Sequence, residues 1–460
     1  MSSESTSSHF HGLEHRRISQ RQPHIFHRLS QHTQLDRSFT SMEDGQALHS
    51  NTGLSMNMTI PPFTFTYAPV DINYGRGCVE SLSETLDEHG WTRAMVVCGS
   101  NVAANSAVVG PITEGLGSTL KTIFDQTTPD KRLETVFAGV ETVHKQDIDV
   151  LIAVGGGSSL NVARAICSIA PLDGSREAIE ETVAETGVIP SPDEHTDPLP
   201  SIVVPTTLAG ADLSPGGSIY YRSTLQTDTA VSTKRVNISD ARLRATAAYY
   251  DPLLFASTPK SVLASSAMNG IDKGIETLYS RSSNPIAEAH AFNGLRYFSQ
   301  GALAFGTPDS EEYLDAIDLA VVGAIQVQYG KRSNTIHAFG NGISSQYPVQ
   351  QGIVHAIVAP HVLTSIFEHV DGQRETLATA LGIDVTARST EGVADAVVDL
   401  VTQIRETLEL PTQLREIDSL TKSDLDSLAT IIKSNSKLEH GPVGYDPTVE
   451  EISTVLKAAW

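Results

Sequence analysis

Residues 148–166 read IDVLIAVGGGSSLNVARAI. Apart from Asp149, the stretch 148–154 is aliphatic and holds no turn former, the composition of a strand buried on both faces of a parallel sheet. Gly155, Gly156 and Gly157 follow; lacking a Cβ, they turn tightly, reach positive φ and leave space for a ligand against the backbone. Ser158 and Ser159 are N-cap candidates for a helix whose apolar face is Val162, Ala163, Ala165 and Ile166. The unpaired amides and positive end of such a helix attract phosphate. Glycine-rich turns also serve packing alone, and one such turn is a weak motif by itself. The reading adopted here puts a dinucleotide pyrophosphate at Gly155, Gly156, Gly157 and Ser158.

The pattern around this turn is an alternation of strands and helices. Strands are expected at 63–67, 70–74, 94–98 and 120–124, and helices at 78–89, 101–116 and 131–144, the order of a doubly wound α/β domain. Gly99, Ser100 and Asn101 stand where the 94–98 strand ends. No acidic residue is there to take both ribose hydroxyls, and Ser100 and Asn101 tolerate a 2′-phosphate, so NAD and NADP both remain open. Residues 173–200 are acidic and proline-containing, as in a surface insertion. After a strand at 201–204 comes the loop PTTLAGAD, from Pro205 to Asp212. Its small and hydroxylated residues suit the floor of a ligand site, and Thr206 and Thr207 join the cofactor candidates.

Beyond residue 257 the strand patterns thin out. Amphipathic segments at 260–281, 285–305, 311–329 and 386–408 make the second half helical, with the cleft between halves as the expected site. Three regions result: a disordered tail over 1–57, a Rossmann-like α/β dinucleotide-binding domain over 58–257 and an all-α domain over 258–460. In the tail, Ser, Gln, His and Arg dominate, too little apolar surface to order a fold.

The 460 residues carry a net charge of −22, from 54 acidic against 32 basic side chains. That surface repels nucleic acid, and it suits a protein kept soluble in concentrated salt, where screening removes self-repulsion. A halophilic source is therefore expected. The apolar runs are too short to span a bilayer and no signal peptide opens the chain, so a cytoplasmic protein is expected. Cys78, Cys98 and Cys167 are too widely spaced for a ligand pair and read as buried thiols.

Four landmarks, in order, resemble the iron-containing alcohol dehydrogenase superfamily. They are GGGS at 155–158, PTT at 205–207, MNGIDKGIETLYSRSSNPIAEAHAF at 268–292, and the segment 337–361 ending HAIVAPH. The closing EEISTVLKAAW is also similar to that family's last helix. The resemblance covers roughly residues 63–460. It implies the dehydroquinate synthase-like architecture, an assembly of two or more copies, and hydride transfer between a nicotinamide and a small alcohol, aldehyde or keto acid. Metal-dependent members use an Asp, a His four residues on, and two further His fourteen residues apart. The matching positions here are Asn269, Lys273, His337 and Gln351. Two amides, an ammonium and one imidazole make a poor divalent site, because Lys offers no lone pair unless deprotonated. No metal is expected there. A second register is open, with Asp272 and Glu276 at i and i+4 and His355 nearby.

Asn269 and His355 look like the metal-independent maleylacetate reductase branch, as does the PTTLAGAD loop, whereas Lys273 and Gln351 depart from it. With the metal gone, Lys273 is the expected electrophile and His337 or His355 the general acid and base. Asn269 and Gln351 are expected to orient the carbonyl or the cofactor amide. Asn161 and Arg164 fall where relatives carry Asp and Lys, and Asn161 is expected to position substrate without charge. The alternatives are a metal-dependent alcohol or polyol-phosphate dehydrogenase of the same superfamily and a nucleotide-binding relative without catalysis.

Overall fold

The computed structural model describes residues 62–67, 69–222, 233–305 and 310–460. The expected tail over 1–57 lies outside them. In chain order the strands are β1 (Asp71–Tyr74), β2 (Ala94–Gly99), β3 (Leu120–Thr127), β4 (Val150–Gly155), β5 (Ser201–Pro205), β6 (Gly216–Arg222), β7 (Thr233–Ser239) and β8 (Ala247–Tyr250). Six of them form a parallel sheet in the order β1-β8-β5-β4-β2-β3, and β6 and β7 form an antiparallel hairpin beside it.

β4 shows why the aliphatic run reads as it does. Leu151 and Ala153 face the larger core, while Val150, Ile152 and Val154 face a second core with residues of β2 and β5. Alternate side chains thus enter opposite layers, and neither layer is water. Register aligns Gly155 of β4 with Pro205 of β5, and β2 pairs with β4 on the other side. The carboxyl ends of three strands therefore open onto one edge, the place where open α/β sheets hold ligands.

From Lys260 onward the chain is helical, and its apolar residues join the larger core without a break. The Lys260–Tyr279 helix is buried along almost all of its last four turns, so its Asp272, Lys273 and Glu276 sit inside protein. The Thr335–Ser344 and Gln351–His369 helices pack against it. Among the described residues no helix is long and apolar enough to cross a membrane.

Several expectations differ from the structure. Residues 63–67 form no strand, because β1 pairs with β8 only from Asp71 onward. The helix expected over 101–116 is two helices, Ser100–Ala103 and Ser106–Leu116; Asn105 breaks it by accepting from the Ala107 N–H as a new N-cap. The insertion at 173–200 contains the Arg176–Thr186 helix, capped by Ser175. The hairpin and β8 are additional strands, and Cys78 is only half-buried while Cys98 and Cys167 are buried.

Candidate active site

At the glycine turn Gly155 takes φ 123°, a conformation that β-branched and bulky side chains avoid, and Gly156 caps the Gly157–Ile169 helix. A Cβ on Gly156 would stand 3.1 Å from the Thr207 side chain. The Thr206 N–H donates to Gly155 O at 3.2 Å. Ser100 and Asn101 open their short helix at the end of β2, whose Val102 lies against Gly155. Gly155, Gly156, Gly157, Ser158, Thr206, Thr207, Ser100 and Asn101 thus gather on the carboxyl edge of the sheet. The first-turn amides of the Gly157–Ile169 helix have no intrahelical partner, which fits a cofactor phosphate.

Arg164, buried in the same helix, donates to the carbonyls of Ala211 (2.8 Å) and Asp212 (3.0 Å) and to Asn161 Oδ1 (3.1 Å). The Asn161 amide donates to Ser218 O of β6 at 3.3 Å. Asn161 thereby ties the Gly157–Ile169 helix to the hairpin, since β6 passes close enough to accept from its amide. Gln328 fixes the far end of the loop, accepting from the Asp212 and Leu213 N–H groups and donating to Asp212 Oδ2. The Tyr250 hydroxyl donates to the same carboxylate at 3.1 Å.

Lys273 rises into this loop. Its ammonium donates to Ala209 O and, at 3.1 Å, to Gly210 O. Burial, and then the nearby Lys331, push its pKa well below the ordinary lysine value. Asn269, one turn earlier, is half-buried, and its side chain makes no hydrogen bond among the described residues. Gln351 heads the Gln351–His369 helix, and its amide donates to Asn341 Oδ1 at 2.7 Å.

One turn beyond Lys273, Glu276 collects three donors: the Asn334 N–H and His337 N–H, both at 2.9 Å, and His337 Nδ1 at 2.6 Å. Even so, burial raises its pKa to about 7. Desolvation and His355 push His337 well down, so the ring is neutral. In the tautomer that gives Nδ1–H to Glu276, the neutral ring keeps its lone pair on Nε2, and that atom is buried without a partner among the described residues. His355 packs edge-on against His337 with centroids 4.4 Å apart, and its Nδ1 lies 3.3 Å from Asp272 Oδ2. Burial lowers His355 to about 4 and raises Asp272 well above a normal carboxylic acid. The backbone makes room for that ring at Gly340, where a Cβ would stand 2.2 Å from His355 Nε2.

These contacts decide how well a divalent ion fits. Of Asn269, Lys273, His337 and Gln351, one is an ammonium already donating to carbonyls and two are neutral amides, which leaves one imidazole and no charged donor for a divalent ion. In the second register Glu276 already faces His337 and two backbone N–H groups, which take three of its acceptor positions. Among the described residues no three His, Cys, Asp or Glu side chains converge to hold an ion. Neither set fits the metal.

Three participants have roles that the sequence does not reveal. Glu276 stands out there only as the i+4 partner of Asp272 in the second ion-binding register, since the 61 positions separating it from His337 hide that pairing. Lys331 and Lys437 carry no motif, yet both act electrostatically on Lys273 and His337.

Comparison with known proteins agrees with this architecture. The family model "Iron-containing alcohol dehydrogenase" matches residues 69–252, and "Fe-containing alcohol dehydrogenase family, C-terminal" matches residues 263–460. The 1,3-propanediol dehydrogenase of Klebsiella pneumoniae is 24% identical over 344 residues, covering 74% of this chain and 83% of the relative. A crystal structure of a 1,3-propanediol oxidoreductase superposes with a TM-score of 0.75 at 19% identity, covering 86% of this chain and all of that one. Maleylacetate reductase from Agrobacterium tumefaciens superposes with a TM-score of 0.66 at 20% identity, covering 87% and 99%.

Proposed function

This chain belongs to the iron-containing alcohol dehydrogenase family, and on that premise we propose that it is an NAD(P)-dependent oxidoreductase of small carbonyl compounds that works without the divalent ion. The observation that carries the reading is Lys273. Its buried ammonium stands at a position where metal-dependent relatives place a ligand, in the field of an imidazole with a free Nε2.

A bound nicotinamide supplies the hydride that adds to the carbonyl carbon. Lys273 supports that transfer by donating an N–H to the carbonyl oxygen, where negative charge develops. A desolvated ammonium is a stronger acid than one in water, so it gives up its proton readily as the alcohol forms. In the reverse direction the neutral Lys273 amine takes the hydroxyl proton back and His337 Nε2 accepts it in turn, so that reduction and oxidation share one proton route. Glu276 holds Nδ1–H in the right tautomer and stabilises the imidazolium, so it acts as a positioning residue. His355, 0% exposed behind His337, is assigned to holding that ring in place. The division into a cofactor half over 58–257 and a helical half over 258–460, and assembly as a homodimer, belong to the same reading.

Steady-state kinetics of Lys273→Ala test it. Loss of a preorganised donor costs about 100- to 1000-fold in kcat, with cofactor affinity unchanged; unaltered turnover would discard the assignment.

A further inference from the structure

A cavity of about 360 Å³ opens where residues 64–67 meet the stretches 213–215 and 328–332. Three cations line it, Arg244, Lys331 and Arg332, and no Asp or Glu does. The chain carries 54 acidic side chains against 32 basic ones, so composition alone does not lead to such a wall.

Each of the three, half-buried, spends its hydrogen bonds on backbone oxygens. Arg244 donates to Leu213 O, Lys331 to Gly210 O at 3.1 Å, and Arg332 to Ser282 O at 2.9 Å and Lys331 O at 3.3 Å. Among the described residues none of them forms an ion pair with a carboxylate. Burial lowers the pKa of Lys331 to about 8; Asp212 opposes that shift and Arg244 adds to it, so the two cations lie within each other's field. Asp212 stands outside the lining, bonded to Tyr250 and Gln328, and offsets one charge of the three. Both guanidinium groups have more N–H donors than these bonds use, in the fork geometry that suits a phosphate. Two aromatic rings share the wall. Phe65 packs on Gly330, where a Cβ would stand 3.2 Å from its ring, and Tyr329 stacks on His290 with centroids 4.8 Å apart.

We propose that this cavity binds a phosphate monoester, its phosphate held by Arg244, Lys331 and Arg332 and its organic body against Phe65 and Tyr329. None of the lining residues belongs to the glycine turn, the 205–212 loop or the Lys273 and His337 pair, so the site is separate from the reaction site. Lys331 connects the two, since it and Lys273 donate to the same Gly210 oxygen.

Isothermal titration calorimetry on the full chain at constant ionic strength tests this, with phenyl phosphate, inorganic phosphate and phenol as probes. Phenyl phosphate should bind, inorganic phosphate more weakly, and phenol not at all. Arg244→Met and Lys331→Met should each weaken phenyl phosphate by about tenfold or more, and Arg244→Lys should recover part of the loss. Should Arg244→Met fail to fold, Lys331→Met carries the comparison. Lys121→Met, which removes an equal charge from an exposed site outside the cavity, should change nothing. No binding of phenyl phosphate would overturn the proposal, as would an equal loss in Lys121→Met, which would reduce the effect to general charge. Phenol binding as tightly as its phosphate would remove the cations' role, and inorganic phosphate binding as tightly would overturn the assignment to an ester. Displacement by NADH or NADPH would overturn it as well, by giving the cavity to the cofactor's phosphates.

Discussion

A buried lysine without a carboxylate partner loses its proton earlier than one in water, and that sets the pH behaviour expected of this enzyme. Lys273 must be charged to polarise a carbonyl, and it is charged only below its pKa. Burial and Lys331 lower that pKa well below 10.5, so the fall in reduction rate with rising pH should begin well short of ordinary lysine titration. His337 is also pushed down, from 6.5, so its neutral, proton-accepting form persists to lower pH and the acid limb of alcohol oxidation moves the same way. A pH profile of kcat for reduction checks the first point. Decline only above pH 10 would show that Lys273 is not the titrating electrophile. Glu276 also matters at this scale: without its carboxylate the Nδ1 tautomer is no longer fixed, and Nε2 no longer reliably offers its lone pair.

Among the elements, the contact between the Thr335–Ser344 and Gln351–His369 helices holds the imidazole pair together, and it depends on Gly340. Gly340→Ala would drive a methyl group into the His355 ring, 2.2 Å from Nε2 in the present geometry. His355 is fully buried and has nowhere to retreat, so a loss of about 1–3 kcal/mol is expected. Urea denaturation measures it, and an unchanged midpoint would mean that the helices yield freely. Much of this scale was legible in advance. The run of aliphatic residues into three glycines fixed β4 and its helix because both faces of the strand and the turn chemistry leave marks on neighbouring residues. Asn105 was harder, since a mid-segment Asn becomes a cap only once the chain bends there. The hairpin and β8 were missed, although β7 carries some period-two alternation in KRVNIS. The side-chain site was legible only in part: Lys273 and His337 stood out through family spacing, but their working partners Glu276 and Lys331 come from contacts 61 and 121 positions distant or onto a loop carbonyl.

For the molecule as a whole, two properties stand apart from the site. A net charge of −22 makes the folded state repel itself in dilute buffer. Added salt should therefore raise the thermal midpoint progressively through the molar range, as the Debye length shrinks to about 3 Å at 1 M. A midpoint independent of salt would remove the halophilic reading. The second property is that, among the described residues, no set of side chains fits an ion in a chain whose family is named for its iron. In the proposed reading Lys273 supplies one positive charge where a divalent ion would supply two, carried on the protein's own helix. The most direct test is NADH and NADPH oxidation across a carbonyl panel by chelator-treated protein, measured with and without added zinc or iron. Turnover unchanged by either treatment is the result expected of a Lys273-based reductase, whereas activity lost on chelation and regained only with metal would contradict it.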